Sequence, residues 1–341
     1  MSTDATTLDI ETGATAVAHP NMALIKYWGK RDRDLILPVT GSLSMTLDIF
    51  PTTTRVRVGE QEADTIALDG RPADEVTTRR VTGFLRLVRD ITGRHEAAAV
   101  DSVNSVPTGA GLASSASGFA ALAAAACAAY DHSLPPRELS RLARRGSGSA
   151  CRSVFGDFVV WHPGDSRPPR DDLGSYAEPV PAGDFDPAMV IAIVDGGGKA
   201  VSSRKAMQHT VETSPFYLPW AAGIAADLER MRAAIGRGDL QEVGRIAEHN
   251  ALSMHATMLA ARPAVRYLQA GTLAVLDAVA ALRAGGTDAY ATIDAGPNVA
   301  VLCDPRDEIR VARAVSELPD VSATHIAHRG PGTTVTAGAA A

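Results

Sequence analysis

A chain of 341 residues with 45% hydrophobic and 21% charged content exceeds one typical core and predicts two soluble globular domains. Its net charge of −6 and pI near 5.9 argue against a broad nucleic-acid or anionic-membrane surface, so an anionic ligand must be met by a local basic pocket. Cys127, Cys151 and Cys303 are odd in number, far apart and without CxxC spacing, which indicates neither a disulfide framework nor a zinc site and fits a reducing cytoplasm.

The first residues, MSTDATTLDIETGA, are polar and acidic without an apolar run, so they read as a loose tail and not as a signal peptide. Residues 16–25 read as a strand leading into LIKYWGKRDRDLILP. Over residues 43–49, Leu43, Met45, Leu47 and Ile49 alternate with Ser44, Thr46 and Asp48, the period of a half-buried strand. Residues 55–58 and 65–68 extend a sheet, with Asp69-Gly70 as a hairpin turn. Val76, Arg80, Phe84, Val88 and Ile91 recur at helical spacing, Arg80 being the polar intruder.

A strand over residues 97–103 feeds NSVPTGAGLASSASGFAALAAAACAAY, which reads as strand, glycine loop, then alanine-rich helix. Gly109 and Gly111 let the backbone approach a ligand, and Ser114, Ser115 and Ser117 place hydroxyls around the first helical turn. Unpaired N–H groups and the positive end of the helix dipole attract phosphate there. The loop is neither a Walker-A motif, for no Lys-Ser or Lys-Thr pair follows, nor a dinucleotide fingerprint, for Ser114 stands where the third glycine belongs. Taken alone, it is better explained by a serine-capped helix after a turn. The uncharged run is too rich in Pro, Gly and Ser to span a membrane.

Beyond it, Pro135-Pro136 starts a short helix that ends in RGSGSACRS, and residues 154–161 return as a strand. The proline-rich residues 167–187 read as the interdomain linker, dividing the chain into domains at 1–185 and 186–341. Residues 189–194 are wholly apolar, as a central strand requires. The second half then turns helical. Trp220, Ile224, Leu228, Met231 and Ile235 form one stripe, Asp239 and Glu242 suit a capping box, and Pro263 suits the first turn of a third helix. Short strands at 289–293 and 299–303 flank Asp294-Ala-Gly-Pro-Asn298, and a last helix and strand precede a flexible TAGAAA end.

Polar clusters interrupt this pattern at Lys26-Tyr-Trp-Gly-Lys30, at the Gly109 loop, at Ser147 to Ser153, and at Asp294 to Asn298. A weaker one covers Lys199 to Lys205. Only four of the 33 basic residues are lysines, Lys26, Lys30, Lys199 and Lys205, so those that remain are candidates for tasks a planar guanidinium cannot perform. Asp294 falls at a strand end, where carboxylates act as bases or bind cations, and where an Asx turn is the plainer alternative. The nine histidines lack a metal-site pattern and read as solvated or satisfied.

The clusters AHPNMALIKYWGK, PTGAGLASSASGFAAL, RRGSGSACRSVFG, VSSRKAM with ETSPFY, and DAGPNV closely resemble, in order and wording, the diphosphomevalonate decarboxylase family of the galactokinase, homoserine kinase, mevalonate kinase and phosphomevalonate kinase superfamily. The resemblance runs from about Ala16 to Val301. It implies a two-domain α+β small-molecule kinase fold with its active site in the interdomain cleft. The implied activity is ATP-dependent conversion of mevalonate 5-diphosphate to isopentenyl diphosphate, CO2, ADP and phosphate, with Mg2+, in a cytoplasmic homodimer that binds no nucleic acid or membrane.

Carried across by position, the resemblance makes Asp294 the base or positioning carboxylate for the tertiary hydroxyl, Arg152 the partner of the substrate carboxylate, and Lys26 the nearby catalytic cation. Tyr27, Lys30, Ser147, Ser149, Arg204 and Met207 line the substrate and its diphosphate. Gly109, Gly111, Ser114, Ser115, Lys199 and Ser203 face the ATP phosphates and Mg2+, the metal being held mainly by those phosphates with Ser115 as a further candidate. Two departures stand out: Val39-Thr40-Gly41-Ser42 replaces the usual asparagine-containing pattern, and Gly196-Gly-Gly198 replaces a lysine-rich loop. The rival readings are a phosphomevalonate decarboxylase, a mevalonate-type small-molecule kinase that stops at the phosphorylated alcohol, and a non-catalytic nucleotide-binding module.

Overall fold

The structure is a computed structural model that describes residues 12–59, 62–105, 114–165, 171–194 and 201–337. Its first half is built on a six-stranded sheet with the spatial order Thr334–Ala337, Thr12–Ala18, Thr52–Gly59, Ala97–Asn104, Thr65–Leu68, Arg71–Pro72. Pairing is antiparallel throughout, except where Thr65–Leu68 runs parallel to Ala97–Asn104. Helix Ser114–Ala129 lies across Thr12–Ala18 and Thr52–Gly59 and is buried nearly all round. Alanine suits it because it favours helix and has no long side chain to hold the helix off the sheet.

A second sheet has the order Ala177–Pro179, Phe158–Trp161, Ser42–Thr46, Asn21–Ile25, and a third has Ala289–Ile293, Val299–Cys303, Ala188–Val194, Val321–Ala327. Ala188–Val194 is central in its sheet and fully buried, as its unbroken apolar run requires. The largest core joins Leu24, Met45 and Phe158 of the second sheet to Met189 and Ile191 of the third through helices Tyr217–Arg237 and Leu240–Leu259. The two halves therefore meet through a shared apolar core, which fixes how residues from each face one another.

The helical stripe of Tyr217–Arg237, the Asp69-Gly70 hairpin and the Asp239 cap on Glu242 N (3.0 Å) fall where the sequence puts them. Other elements differ from expectation. Residues 16–25 form two strands in different sheets, because Pro20 has no N–H for a continuous ladder and the chain changes sheets there. In helix Glu75–Thr92 the buried residues are Val81, Phe84, Leu85 and Val88, while Val76 and Ile91 are exposed, so the apolar face is rotated and begins later. Part of the expected linker is built into the first half: Ala177–Pro179 pairs with Phe158–Trp161, and Asp172 accepts from Arg141 (2.6 Å) and Arg144. Pro263 precedes a helix that starts at Ala270, where Gln269 and Thr272 supply a reciprocal cap. The expected flexible end begins inside a strand, since Thr336 and Ala337 pair with Thr15 and Ala14.

Candidate active site

Strand Ala289–Ile293 is buried along its length and gives way to a turn at Asp294, where Gly296 N donates to the Asp294 carbonyl (2.8 Å). Asn298 ties the turn to the end of strand Ala188–Val194 by accepting from Val194 N (2.9 Å). Across from it, strand Asn21–Ile25 hands over to Lys26, whose side chain is 1% exposed. Lys26 Nζ donates to Asp294 Oδ1 (2.6 Å) and to the Ala23 carbonyl (2.8 Å). Asp294 is itself 39% exposed, and its Oδ2 takes no hydrogen bond among the described residues. The carboxylate is thus fixed by one oxygen and open at the other. Burial pulls the Lys26 ammonium below the usual lysine range, opposed by the Asp294 carboxylate.

His255 completes this corner from helix Leu240–Leu259. It is buried, and its Nε2 lies 3.2 Å from the Asp294 carbonyl. Burial, reinforced by the Lys26 ammonium, pushes its pKa down to about 4, so the ring is neutral near pH 7. Because a carbonyl can only accept, the neutral ring carries its proton on Nε2.

Arg152 projects from the single helical turn Ala150–Ser153 and is buried. Its Nε donates to Ser44 Oγ (2.9 Å) and Asn21 Oδ1 (3.2 Å), its Nη1 to Ser42 Oγ (2.6 Å) and its Nη2 to Asn21 Oδ1 (3.0 Å). Burial lowers its pKa from the usual arginine range, with Cys151 and Asp294 opposing. All these acceptors are neutral, so the guanidinium is held in place with its charge still to be matched. They also explain the alternation in residues 43–49. Ser42, Ser44 and Thr46 are buried as fully as Leu43 and Met45, and their face closes on the Arg152 segment where solvent was expected.

Between Lys26 and Lys30, Gly29 takes φ 108°, and a Cβ there would collide with the Tyr217 hydroxyl, which donates to the Trp28 carbonyl (2.9 Å). Tyr27 packs edge-on against Trp161 at 4.7 Å, and Gly148 leaves room for its ring, since a Cβ would stand 2.7 Å away. Its hydroxyl is buried with no hydrogen-bond partner among the described residues. Burial raises its pKa, Arg152 and Arg204 pull against that, and the hydroxyl stays a donor.

Lys30, Arg204 and Met207 line one cavity of about 390 Å³, together with Arg33, Arg80 and Arg145. Burial first, then Arg204, Arg80 and Arg33, bring the Lys30 ammonium down to about 8. Lys26, Arg152 and Asp294 do not line this cavity. Tyr27 links the two groups, since it feels the charges of both Arg152 and Arg204.

Ser114 and Ser115 are exposed at the first turn of helix Ser114–Ala129, and Ser115 Oγ lies 3.2 Å from Ser147 Oγ. Ser117 differs from expectation: it is buried and its Oγ is bonded to Thr52 Oγ1 (2.7 Å). Ser149 offers its carbonyl to Asn21 Nδ2 (3.1 Å). Ser203 opens helix Ser203–Thr213, which Ser202 caps. Gly109, Gly111 and Lys199 lie outside the described residues.

Sequence reading passed over several of these residues. Arg80 shows in the sequence only as a polar break in an apolar stripe; in the fold its Nη2 donates to the Gly146 carbonyl (2.8 Å) and its guanidinium sits 4.4 Å over the Phe119 ring. Asn21, Ser42 and Ser44 leave no signal by which a single sequence ties them to Arg152. His255 reads as one more helical histidine.

A carboxylate open at one oxygen, two buried cations, a cation-lined cavity and exposed serines at a helix start are the parts of a small-molecule phosphoryl-transfer enzyme. Residues 18–177 match the diphosphomevalonate decarboxylase-like N-terminal domain, and residues 189–333 match the mevalonate 5-diphosphate decarboxylase C-terminal domain. The chain is 37% identical to the diphosphomevalonate decarboxylase of Aspergillus fumigatus over 328 residues, covering 89% of this chain and 80% of that one. The human diphosphomevalonate decarboxylase is 34% identical over 307 residues, covering 84% and 76%. Among solved structures, mevalonate diphosphate decarboxylase from Staphylococcus aureus superposes with a TM-score of 0.92 at 38% identity, covering 96% of this chain and 99% of that one. A structure of MDDEF in complex with MVAPP, AMPPCP and magnesium gives 0.90 at 43% identity, with the same coverage. The chain belongs to the diphosphomevalonate decarboxylase family.

Proposed function

We propose that Asp294, Lys26 and Arg152 carry the chemistry of this chain's reaction, the ATP-dependent decarboxylation of mevalonate 5-diphosphate to isopentenyl diphosphate, CO2, ADP and phosphate. The observation that carries this assignment is the 2.6 Å pair between buried Lys26 and half-open Asp294 beside the buried Arg152. A tertiary alcohol is a poor leaving group until it is phosphorylated. The open oxygen of Asp294 takes the proton of that hydroxyl as it attacks ATP, and Lys26 holds the other oxygen. Arg152 fixes the substrate carboxylate until loss of phosphate draws out CO2.

Lys30, Arg204 and Met207, with Tyr27, Ser147 and Ser149, form the substrate end, and the cavity's cations suit the diphosphate. Ser114, Ser115 and Ser203 sit at the nucleotide end. The exposed hydroxyls of Ser114 and Ser115 at the helix start fit phosphate and its Mg2+, with Ser115 as the candidate metal contact. When bound, Mg2+ neutralises charge spreading over the transferred phosphoryl group. Lys199, Gly109 and Gly111 complete this end in the same reading. A cytoplasmic homodimer that binds no nucleic acid belongs to the same proposal, the net charge of −6 supporting its last part alone. No helix among the described residues is long and apolar enough to cross a membrane.

The assay that tests the function incubates purified protein with ATP, Mg2+ and, separately, mevalonate, its 5-phosphate and its 5-diphosphate, and quantifies ADP and CO2. Equal ADP and CO2 with the diphosphate is the expected result; ADP without CO2 would mean a kinase.

Two further results are expected. With Lys30 near 8 in the free enzyme, kcat/KM for the diphosphate substrate should be full at lower pH and fall as pH rises through that value, because the ammonium is lost. Lys30→Met should lower kcat/KM roughly 10- to 150-fold, the worth of one charge-assisted contact, mainly through KM, and flatten the profile in that window. An identical pH profile in the variant would assign the titration to another group. Replacing Ser114 and Ser115 together by Ala should raise KM for ATP roughly tenfold, as two hydrogen bonds of ordinary strength predict. Initial rates against ATP concentration check it; unchanged ATP kinetics would make the serines a structural cap.

A further inference from the structure

The cavity beside Lys30 holds more positive charge than its known neighbours neutralise. Of its five basic residues, Arg33 is paired with Glu212 at 3.0 Å, both well exposed. That leaves Lys30, Arg80, Arg145 and Arg204 facing a common space, with exposed Asp34 as the other carboxylate of the lining. Like charges held together without counter-ions disfavour one another; burial does most to lower the pKa values of Lys30 and Arg80, and the neighbouring guanidiniums lower them further. Four cations against one exposed carboxylate match a ligand carrying about three negative charges better than one carrying two.

Arg80 is partly committed, through the Gly146 carbonyl and the Phe119 ring. Arg145 is not. It lies in the last turn of helix Pro136–Gly146, next to Arg144, and the two have opposite fates. Arg144 is fully buried and spends its guanidinium on the Leu35 and Ser175 carbonyls and on Asp172. Arg145 lines the cavity; its Nε is buried, and it has no hydrogen-bond partner or carboxylate among the described residues. Two residues later Ser147 Oγ lies 3.2 Å from Ser115 Oγ. A buried donor left unsatisfied is costly in a folded chain and is explained when a ligand supplies the acceptor.

We propose that Arg145 is a specificity-determining residue, which grips the terminal phosphate of the substrate and sets the preference for a 5-diphosphate over a 5-monophosphate. This rests on the reaction assigned above and adds a role within it. With a monophosphate the cavity receives one phosphate fewer, and Arg145 remains unmatched. With the diphosphate, its donors meet the second phosphate's oxygens in charge-assisted bonds, which planar guanidinium forks make well.

The test uses full-length protein, wild type and Arg145→Met, with ATP and either mevalonate 5-diphosphate or its 5-phosphate. The expected result is a 10- to 100-fold rise, in order of magnitude, in KM for the diphosphate, with kcat changed far less. kcat/KM for the monophosphate and KM for ATP should stay within about threefold, so the ratio of the two substrates' kcat/KM collapses. Inhibition by inorganic pyrophosphate, competitive with the diphosphate substrate, should weaken in parallel, whereas inhibition by orthophosphate should not. Arg145→Lys should restore part of the preference, and near-identical melting temperatures would separate this from a folding defect. A diphosphate KM unchanged in the Met variant, or equal losses on both substrates, overturns the role of Arg145 while leaving the reaction standing. Wild type releasing no CO2 from the diphosphate overturns the reaction itself, and the proposal with it.

Discussion

Asp294→Asn is expected to lower turnover by about 10²- to 10⁴-fold, the usual cost of losing a general base, with ADP and CO2 falling together. The substitution keeps the shape of the side chain, and the Lys26 pair decides how the amide sits. Lys26 Nζ donates, so the amide oxygen takes the Oδ1 position at 2.6 Å and the amide NH2 takes the open one. A donor then faces the substrate hydroxyl where an acceptor is needed. KM for the diphosphate should move little if the diphosphate is held, as proposed, in the cavity of Lys30 and Arg204, which Asp294 does not line. Quenched single turnovers that follow ADP, CO2 and the phosphorylated intermediate provide the measurement. Accumulation of that intermediate in the variant would show that Asp294 acts after phosphoryl transfer, against its assignment here.

How far the site can be read from the sequence follows from what a single residue's surroundings leave on the chain. Asp294 is legible because a buried apolar run ends in Asp-Ala-Gly-Pro, and Lys26 because lysine is so scarce. The alternation from Leu43 onward finds the strand Ser42–Thr46 but not its burial on both faces. It cannot say what each face meets, so a polar face that looks solvated is in fact the buried cradle of Arg152, brought 110 residues along the chain to Ser42. Arg80 carries the converse lesson: one charged residue in an apolar stripe was visible, but only the rotation of helix Glu75–Thr92 turns it into the cavity. The break at Pro20 and the strand Ala177–Pro179 were obscured because sheet membership depends on distant partners, whereas local composition records only turns and prolines.

Arg152→Met should separate the two chemical steps, lowering steady-state turnover by about 10²- to 10³-fold, as removal of a pre-placed charged donor commonly does. Met fills much of the vacated slot, and the Ser42 and Ser44 hydroxyls can turn toward new partners. Asn21 Oδ1 loses both of its contacts from the guanidinium, so some loss of stability accompanies the change. A melting curve measures that loss independently of activity. The Lys26–Asp294 pair does not depend on Arg152 for its hydrogen bonds, so proton removal and phosphoryl transfer should survive in slowed form. Loss of CO2 should suffer more, because in the proposed reading the carboxylate loses the group that aligns it for departure. ADP should therefore lead CO2 in a single turnover, with the phosphorylated intermediate rising and decaying between them. Arg152→Lys should recover little, since one ammonium cannot reach Ser42, Ser44 and Asn21 while also holding a carboxylate. Strict equality of ADP and CO2 at every time point, with no intermediate detected, would sink the separate role of Arg152 and place it with Asp294 and Lys26 in the first step.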